Sequence, residues 1–474
     1  MEERDRLMLK AIKSKYIGSR EFYKMVVAIA LPIMIQNAIT NFVSLLDNIM
    51  VGSVGTEQMS GVSIANQAIF IYTLAVFGAV TGAGIFGAQF YGKKDHDGVR
   101  YAFRFKMISA VLIAAIAIGV FIAFGDKIIM AYLRGEGDTI DKEAALRYGK
   151  EYLLIMLIGF LPHALMQCYA STLRESGETL VPMKAGVIAV FVNLILNAVL
   201  IFGLFGLPAM GVRGAATATV ISRFVEIFIV AVWTHRNHEK HPFIKGAFRS
   251  MHIPLGMTKD IIKKALPLMA NESLWALGIA LLNQCYSTRG LDVMPALNIT
   301  STITDMFNVA FMALGTAVGI IVGQQLGANK KEEAVDSARK MLAFSFMVSL
   351  VIGAILAALA PFFPLLFSKV EPSVRSLATS MIFVMVLHMP IHAIAHSSYY
   401  IIRAGGRTAI TFVFDSVYAL GVVYPVALIL TKYTSIPIIP LYLISQLVEM
   451  GKAVLGIILV KNRRVWVRNL VENK

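Results

Sequence analysis

Long hydrophobic stretches alternate with short polar segments along the whole chain. Residues 25–92 contain no Lys or Arg and only two acids, which leaves room for two membrane-spanning helices of ~20 residues each. The pattern predicts twelve such helices, at residues 22–48, 60–91, 104–125, 150–173, 180–203, 211–234, 259–286, 294–326, 338–366, 375–402, 408–431 and 437–461. The expected fold class is therefore all-α integral membrane.

The second half of the chain repeats landmarks of the first half at an offset of about 235 residues. The repeated segments are LPIM at 31–34 and LPLM at 266–269, GAQF at 87–90 and GQQL at 323–326, and RESGET at 174–179 and RAGGRT at 403–408. Three landmarks in the same order indicate a duplicated bundle of helices, which is the plan of many secondary transporters. Because six spans separate the copies, we expect two six-helix bundles related by a pseudo-twofold axis along the membrane normal.

The composition agrees with a membrane protein and argues against a nucleic-acid-binding protein. Hydrophobic residues make up 57% of the chain and charged residues 15%, whereas a soluble domain would have roughly a quarter charged. The net charge of +15 would favour nucleic-acid binding in a soluble protein, but here the basic residues lie at the ends of the predicted spans. The lipid bilayer is therefore the expected partner, and nucleic acid is not.

The basic segments also predict the topology and the domain boundaries. The N-terminal tail (1–21), the central linker (235–258) and the C-terminal tail (462–474) are rich in Lys and Arg, and even numbers of spans separate them. The positive-inside rule then places all three in the cytoplasm of a multi-pass protein of the cell membrane. The halves between them are residues 22–234 and 259–461. One segment, 126–149, carries four basic residues although it is predicted to lie outside.

Several motifs in combination resemble one family of transporters. They are Leu31-Pro32 followed by DNIMVGSVG at 47–55, LRESGET at 173–179, and Asn193 and Asn197 followed by MGVRGAATAT at 210–219. Together they resemble the multidrug and toxic compound extrusion (MATE) family, over residues 22 to 461. The resemblance implies a twelve-helix antiporter with two lobes around a central cavity. Such a protein exports organic compounds, cationic or amphipathic, against an inward flow of H⁺ or Na⁺, and no other cofactor is expected.

An ionisable group at membrane depth is costly, which makes it a functional candidate. Asp47 lies late in the first span, at the position of the family's N-lobe acid, and a carboxylate there can bind a cation or exchange a proton. Its alternative role is that of a helix-end acid near the outer surface. Some family members carry a second acid near Asn197. Asn193 and Asn197 cannot titrate, but they can coordinate Na⁺ or hydrogen-bond Asp47.

Glu272, early in the seventh span, matches a position where other branches of the family carry a functional glutamate. Its alternative role is that of a buried, hydrogen-bonded acid that stabilises helix packing. Its counterpart at the repeat offset is Asn37, and Gln36 and Asn37 are expected to line the cavity. We predict that a proton gradient alone drives transport, through Glu272 together with Asp47.

The tenth span places His388, His392 and His396 at i, i+4 and i+8, on one face of a helix that Pro390 is expected to interrupt and kink. Some relatives carry an aspartate near His392. Three roles are open for this face: a polar cavity lining, a proton relay near neutral pH, and a transition-metal site. The metal is the weakest of the three, because a His pair without an acidic third ligand is poor evidence. No metal site is therefore predicted.

Other acids lie inside or between the predicted spans. Asp305 and Asp415 are expected as cavity acids. Glu449 precedes Lys452 by three residues, so an intrahelical ion pair is expected. Solvated loop acids are predicted at three positions, Asp95, Glu175 and Asp292.

Other function classes lack their sequence signals. No HExxH, GxSxG or aspartate-rich motif indicates an enzyme, and no Walker motif indicates ATP-driven transport. A channel would more often be an oligomer, whereas a duplicated chain builds its own cavity and is expected to function as a monomer. The alternative on the same fold is a flippase or exporter of a specific metabolite or lipid-linked substrate. An anionic substrate would need Lys or Arg in the cavity, and basic residues in the middle of the spans are nearly absent apart from Arg223.

Overall fold

The computed structural model describes residues 15–133, 141–367 and 370–472, and every regular element among them is helical. The predicted all-α class is therefore confirmed. Helices are the expected solution in a bilayer, because a spanning helix satisfies its own backbone N–H and C=O groups. Parts of the two predicted tails, residues 1–14 and 473–474, lie outside the described residues.

The first half of the described chain forms long helices joined by short turns. They are α1 (Arg20–Gly52), α2 (Thr56–Lys93), α3 (His96–Leu133), α4 (Lys142–Ile158), α5 (Phe160–Glu175), α6 (Leu180–Phe202) and α7 (Gly211–Arg236). α6 ends at Gly203, where φ is 70°. Glycine adopts this left-handed conformation without strain, and it commonly ends helices in this way.

The second half continues the same plan, with one irregular helix. Its helices are α8 (Leu255–Ser287), α9 (Val293–Gly327), α10 (Lys331–Leu359), α11 (Pro372–Ala404), α12 (Thr408–Tyr433), α13 (Ile438–Lys461) and the short α14 (Arg463–Trp466). α12 contains π-helical turns at Val413–Val417 and Ala419–Val423. Such turns are frequent at functional sites. α13 is interrupted at Glu449, which ends Ile438–Val448 and precedes Met450–Lys461.

Among the described residues, eleven helices are long and apolar enough to cross a membrane, or twelve if α4 and α5 form one span. α4 and α5 are bent by 48° at Gly159. The fourth span was predicted as one helix at 150–173, so the bend is a difference from the sequence analysis. Pro162 contributes to it, because its ring nitrogen has no hydrogen to donate to the carbonyl of Ile158 one turn earlier.

Contacts divide the chain into two units. The first unit comprises Ile35–Gly87 and Asp95–Met269, and the second comprises Met1–Met34, Ala88–Lys94 and Ala270–Lys474. Within the first unit α6 packs along α7, and α3 packs along α5. Within the second unit α11 packs against α9, α10 and α13. The domain boundaries inferred from the sequence stay predictions.

The predicted central linker is folded against α3, within the first unit. Arg104 donates hydrogen bonds to the backbone carbonyls of Ala247 at 2.8 Å, Gly246 at 2.8 Å and His252 at 3.1 Å. Burial lowers the pKa of the His241 imidazole in the same segment. The segment is therefore held by a fixed cation and does not behave as a free connection.

The residues after α13 pack on the ends of α2 and α11, within the second unit. Gln89 accepts a hydrogen bond from the Leu470 amide at 2.7 Å and donates to the Ala404 carbonyl at 2.9 Å. Trp466 is fully buried. A Cβ at Gly405 would lie 1.8 Å from the Trp466 carbonyl oxygen, so only glycine fits at this position.

Candidate functional site

Asp47 lies near the end of α1 and contacts two asparagines of α6, within the first unit. Asn197 Nδ2 donates a hydrogen bond to Asp47 Oδ1 at 2.6 Å. With its amide nitrogen turned toward α1, Asn193 donates to both carboxylate oxygens, at 3.0 and 3.1 Å, and its carbonyl accepts from the Thr219 hydroxyl at 3.2 Å. The structure thus brings Asp47, Asn193 and Asn197 together. It adds Thr219 of α7, whose only sequence signal is that it ends the motif at 210–219.

The polar atoms around Asp47 include a hydrogen-bond acceptor that has no partner among the described residues. Asn193 and Asn197 are buried, yet Asn197 Oδ1 has no hydrogen-bond partner among the described residues. No Lys or Arg in the described part of the chain forms an ion pair with Asp47. A carboxylate beside an open amide carbonyl is a set of oxygen ligands that suits a small hard cation. A proton on Asp47 would neutralise the same charge.

Gln36, also predicted as a cavity residue, contacts Arg174 of α5 within the first unit. Arg174 Nη2 donates to Gln36 Oε1 at 2.7 Å. A Cβ at Gly186 would lie 2.6 Å from Gln36 Nε2, so α1 and α6 approach closely here. Asn37 is half-buried beside it. Gln36 therefore contacts a half-buried cation, and the cavity-lining role of Gln36 and Asn37 stays a prediction.

Asp415 lies in the first π-helical turn of α12 and has two partners in the second unit. Asn271 Nδ2 of α8 donates to Asp415 Oδ2 at 3.0 Å, and Lys452 Nζ of α13 donates to Asp415 Oδ1 at 2.7 Å. The Ser416 hydroxyl donates to Asn271 Oδ1 at 2.8 Å, which fixes the orientation of the amide. Asp415 is therefore paired with a resident ammonium group, a partner that the sequence analysis missed.

Glu449, at the interruption of α13, connects Lys452 with the histidine face of α11. The predicted intrahelical pair is present, since Glu449 Oε1 lies 3.8 Å from Lys452 Nζ. The other oxygen, Oε2, lies closer to a different partner, 3.2 Å from His388 Nε2. The ring centroids of His388 and His392 are 5.7 Å apart, and those of His392 and His396 are 5.4 Å apart. The three histidines share one helix face as expected, and a relay role for them stays a prediction.

Glu272 lies beside the Asp415 cluster, next to Asn271, whereas Asp305 makes no contact with it among the described residues. Glu272 is partly buried on α8, where Arg403 and Asp415 are the charged groups that act on its carboxylate. Asp305 is exposed on α9, and Asn308 Nδ2 lies 3.5 Å from its Oδ1. The coupling role of Glu272 and the cavity role of Asp305 stay predictions.

Glu175 and Lys106 form a buried ion pair that the sequence analysis missed. Lys106 Nζ lies 2.7 Å from each carboxylate oxygen, and the two side chains are 0% and 9% exposed. The prediction of a solvated loop acid at Glu175 is wrong, because α5 extends to Glu175 and turns it toward α3. The view that basic residues are nearly absent from the spans apart from Arg223 is also wrong. Lys106 and Lys452 are buried, each against an acid.

The first unit also contains an apolar cavity of about 480 Å³. Its lining comes from α2, α3, α8 and the segment before α8, and includes Ala79, Phe105, Leu112, Met251, Ile262 and Leu266. Two hydroxyl groups, of Ser109 and Thr258, are among the few polar groups that line it. Cavities of this size and character hold the apolar part of a small organic molecule.

The all-helical, multi-pass fold and its buried ionisable clusters define a membrane transporter. More specifically, the chain belongs to the MatE family, a family of transporters, which it matches over residues 32–199 and 267–429. The two matched segments begin at Pro32 and Pro267, 235 residues apart, which is the offset of the internal repeat. The family suggested by the sequence motifs is thereby confirmed.

Curated relatives cover nearly the whole chain at low identity. "Probable multidrug resistance protein NorM" of Thermotoga maritima is 23% identical over 422 residues, which are 87% of this chain and 86% of that protein. "Probable multidrug resistance protein YoeA" of Bacillus subtilis is 23% identical over 416 residues, 86% of this chain and 87% of that protein.

Solved structures show the same fold. One described as the outward-facing conformation of a multidrug resistance MATE family transporter superimposes with a TM-score of 0.84 at 19% identity, covering 93% of this chain and 95% of that one. A MOP superfamily transporter from Pyrococcus furiosus gives 0.81 at 20% identity, covering 95% and 97%. The chain therefore has the two-lobe MATE fold.

Proposed function

We propose that this chain is an antiporter that exports organic compounds, cationic or amphipathic, across the cell membrane by alternating access. The coupling ion is H⁺ or Na⁺, and the protein acts as a monomer. One observation carries the proposal: among the described residues the Asp47 carboxylate has only amide partners, and the buried Asn197 Oδ1 beside it has no partner. The names of the curated relatives and the apolar cavity support the substrate class.

Coupling needs a site whose charge changes when the ion binds. An ionised carboxylate is costly to bury unless it is paired, and amide hydrogen bonds stabilise it only in part. Binding of Na⁺ or of a proton at Asp47 removes that cost and changes which hydrogen bonds α6 makes to α1. The free energy of ion binding can then favour one arrangement of the helices over another.

The test uses purified protein in liposomes loaded with a fluorescent organic cation. A pH gradient at constant Na⁺ and a Na⁺ gradient at constant pH are imposed in separate experiments. Asp47→Asn should abolish export under whichever gradient drives the wild type, with membrane insertion unchanged. Asp292→Asn serves as the matched control, because Asp292 is an exposed acid at the start of α9. Wild-type export by the Asp47 variant would overturn the proposal.

A second variant separates ion binding from general damage. Asn197→Ala removes one hydrogen bond to the carboxylate and one amide oxygen. A hydrogen bond to a charged group contributes about 1.5 kcal/mol or more, which corresponds to about a tenfold change in affinity. We therefore expect the half-saturating concentration of the coupling ion to rise about tenfold, while the maximal export rate changes less. An unchanged ion dependence would contradict the assigned site.

Glu272→Gln tests the choice of ion. If Glu272 acts with Asp47 in proton coupling, this variant should lose export driven by the pH gradient. Export that depends strictly on Na⁺ at constant pH, and that Glu272→Gln leaves intact, would restrict the coupling role to Asp47, Asn193 and Asn197.

The alternative is a flippase or exporter of a specific metabolite or lipid-linked substrate. An anionic substrate needs cations that are free to bind it. Lys106 and Lys452 each form an ion pair of 2.7 Å with an acid, and Arg174 donates to Gln36. These contacts favour export of cationic or amphipathic compounds over recognition of an anion.

A further inference from the structure

A second site with its own chemistry lies where α11 meets α13, in the second unit. His388 and His392 of α11 and Glu449 of α13 each offer one ligand atom, and these atoms all lie within 4.8 Å of one another. His388 Nε2 and Glu449 Oε2 are already 3.2 Å apart. Two ligand atoms that each lie about 2 Å from one tetrahedral ion are separated by about the same distance as these two atoms.

The local structure explains why these three side chains converge. His388 and His392 lie four residues apart on α11, so their rings point from successive turns of one face. Glu449 lies at the interruption of α13, where the helix ends and restarts. At this interruption the Glu449 carboxylate points toward α11. In a straight helix it would do so only if Glu449 were on the helix face that packs against α11.

The charges around Glu449 leave the negative charge of its own carboxylate available to bind a cation. Lys452 contacts Glu449 Oε1 at 3.8 Å, but its shorter bond is to Asp415 Oδ1 at 2.7 Å. The Lys452 charge is therefore already balanced by Asp415. Glu449 Oε2 faces away from that pair, toward the histidines.

A further atom on this face lacks a partner. His396 continues the face one turn after His392, and its buried Nε2 makes no hydrogen bond among the described residues. Buried polar atoms are nearly always satisfied by protein, water or an ion. The unmet nitrogen beside the cluster is the second observation that indicates a bound species here.

We propose that His388, His392 and Glu449 bind a divalent transition-metal ion of the Zn²⁺ and Co²⁺ class. Two imidazoles and one carboxylate are the donors that such ions prefer, whereas Mg²⁺ and Ca²⁺ prefer oxygen alone. Three protein ligands leave the fourth tetrahedral position for water. The ion takes the place of the proton between His388 and Glu449 and joins α11 to α13. This site is separate from Asp47 and does not depend on the proposed antiport.

The test measures binding of metal to the full chain without a polyhistidine tag, purified in detergent and stripped with a chelator. CoCl₂ is titrated while the visible absorption that marks tetrahedral cobalt is recorded, and ZnCl₂ is then added in competition. We expect one equivalent of Co²⁺ in the wild type, displaced by Zn²⁺. Binding should be at least tenfold weaker in His392→Gln and in Glu449→Gln. His252→Gln, at an exposed histidine in the segment before α8, is the control and should bind as the wild type does.

His392→Cys guards against variants that merely misfold. A thiolate is also a ligand, so this variant should keep one equivalent of Co²⁺ and add an intense sulfur-to-cobalt absorption that the wild type lacks. Thermal unfolding without metal shows whether the Gln variants are folded. The proposal is overturned if the wild type shows no tetrahedral cobalt. It is equally overturned if folded Gln variants bind as the wild type does, or if His392→Cys shows no sulfur band.

Discussion

Replacing Lys106 by Met should destabilise the protein far more than removing both charges of its ion pair. The substitution keeps most of the side-chain volume but removes the ammonium group that contacts both oxygens of the buried Glu175 carboxylate. Lys106 donates to both oxygens of Glu175 at 2.7 Å and also to Thr172 Oγ1 at 3.1 Å. Breaking a buried pair on one side costs about 3–5 kcal/mol, because an uncompensated charge stays behind.

The double variant Lys106→Met/Glu175→Gln tests whether the uncompensated charge is the cause. Gln keeps the shape of Glu, which matters because a Cβ at Gly84 or Gly87 would lie 2.5 or 2.2 Å from the Glu175 oxygens. The neutral pair needs no cation, and replacement of a buried pair by neutral groups is often close to neutral in stability. We expect the double variant to regain most of the loss, so that the two substitutions show strong coupling.

The assay follows thermal unfolding in detergent with a fluorogenic thiol reagent. Cys168 and Cys285 are buried and free, so the reagent reacts only when the protein opens. The single variant should melt well below the wild type and the double variant near it. Lys340→Met, which breaks a partly exposed pair with Asp336, is the control and should change stability by no more than about 1 kcal/mol. The reasoning is refuted if Lys106→Met melts with the wild type, or if the double variant melts no higher than the single one.

Three further substitutions test other contacts. Gly405→Ala should lower the melting temperature and expose the buried Trp466 to quenchers, since its Cβ would meet the Trp466 carbonyl at 1.8 Å; unchanged quenching would contradict that packing. Arg104→Gln should speed proteolysis of the segment between α7 and α8, because Arg104 binds carbonyl groups of that segment. Cleavage of the variant at the wild-type rate would contradict this role. Lys452→Met should destabilise by about 3–5 kcal/mol in the same thiol assay, since it removes the ammonium group that pairs with Asp415. Added Asp415→Asn should restore most of the stability, and a double variant that melts no higher than the single one would contradict this.

The sequence predicted the fold because hydropathy is a local property. A run of ~20 apolar residues spans a bilayer whatever its neighbours are, so the spans and their duplication could be read directly. The bend between α4 and α5 was missed, although Pro162 marks it. Proline inside a span is tolerated in α1 and α11, where Pro32 and Pro390 lie within continuous helices. A proline in the sequence therefore does not by itself predict that a span is bent.

Partners across helices could be predicted only in part. A motif match suggested that Asp47 contacts Asn197, and they are in contact although 150 positions apart. No pattern linked Lys106 with Glu175, which are separated by 69 positions, because pairing depends on which helix faces meet. The same holds for His388 and Glu449, separated by 61. The spacing of Glu449 and Lys452 correctly predicted their contact. It did not indicate the shorter contacts that Glu449 makes with His388 and that Lys452 makes with Asp415.

The clusters in the two units each contain an aspartate that is hydrogen-bonded to asparagine, but only the Asp415 cluster also contains a lysine. That difference favours one of the two aspartates as the site of ion coupling. Asp47 accepts hydrogen bonds from the amides of Asn193 and Asn197, and Asp415 accepts one from Asn271. Asp415 also holds the Lys452 ammonium at 2.7 Å, which occupies the position that a mobile cation would need. Asp47 has no such cation among the described residues. We therefore expect the coupling ion of the proposed antiport to bind at Asp47 and not at Asp415, where the Lys452 ammonium already balances the carboxylate.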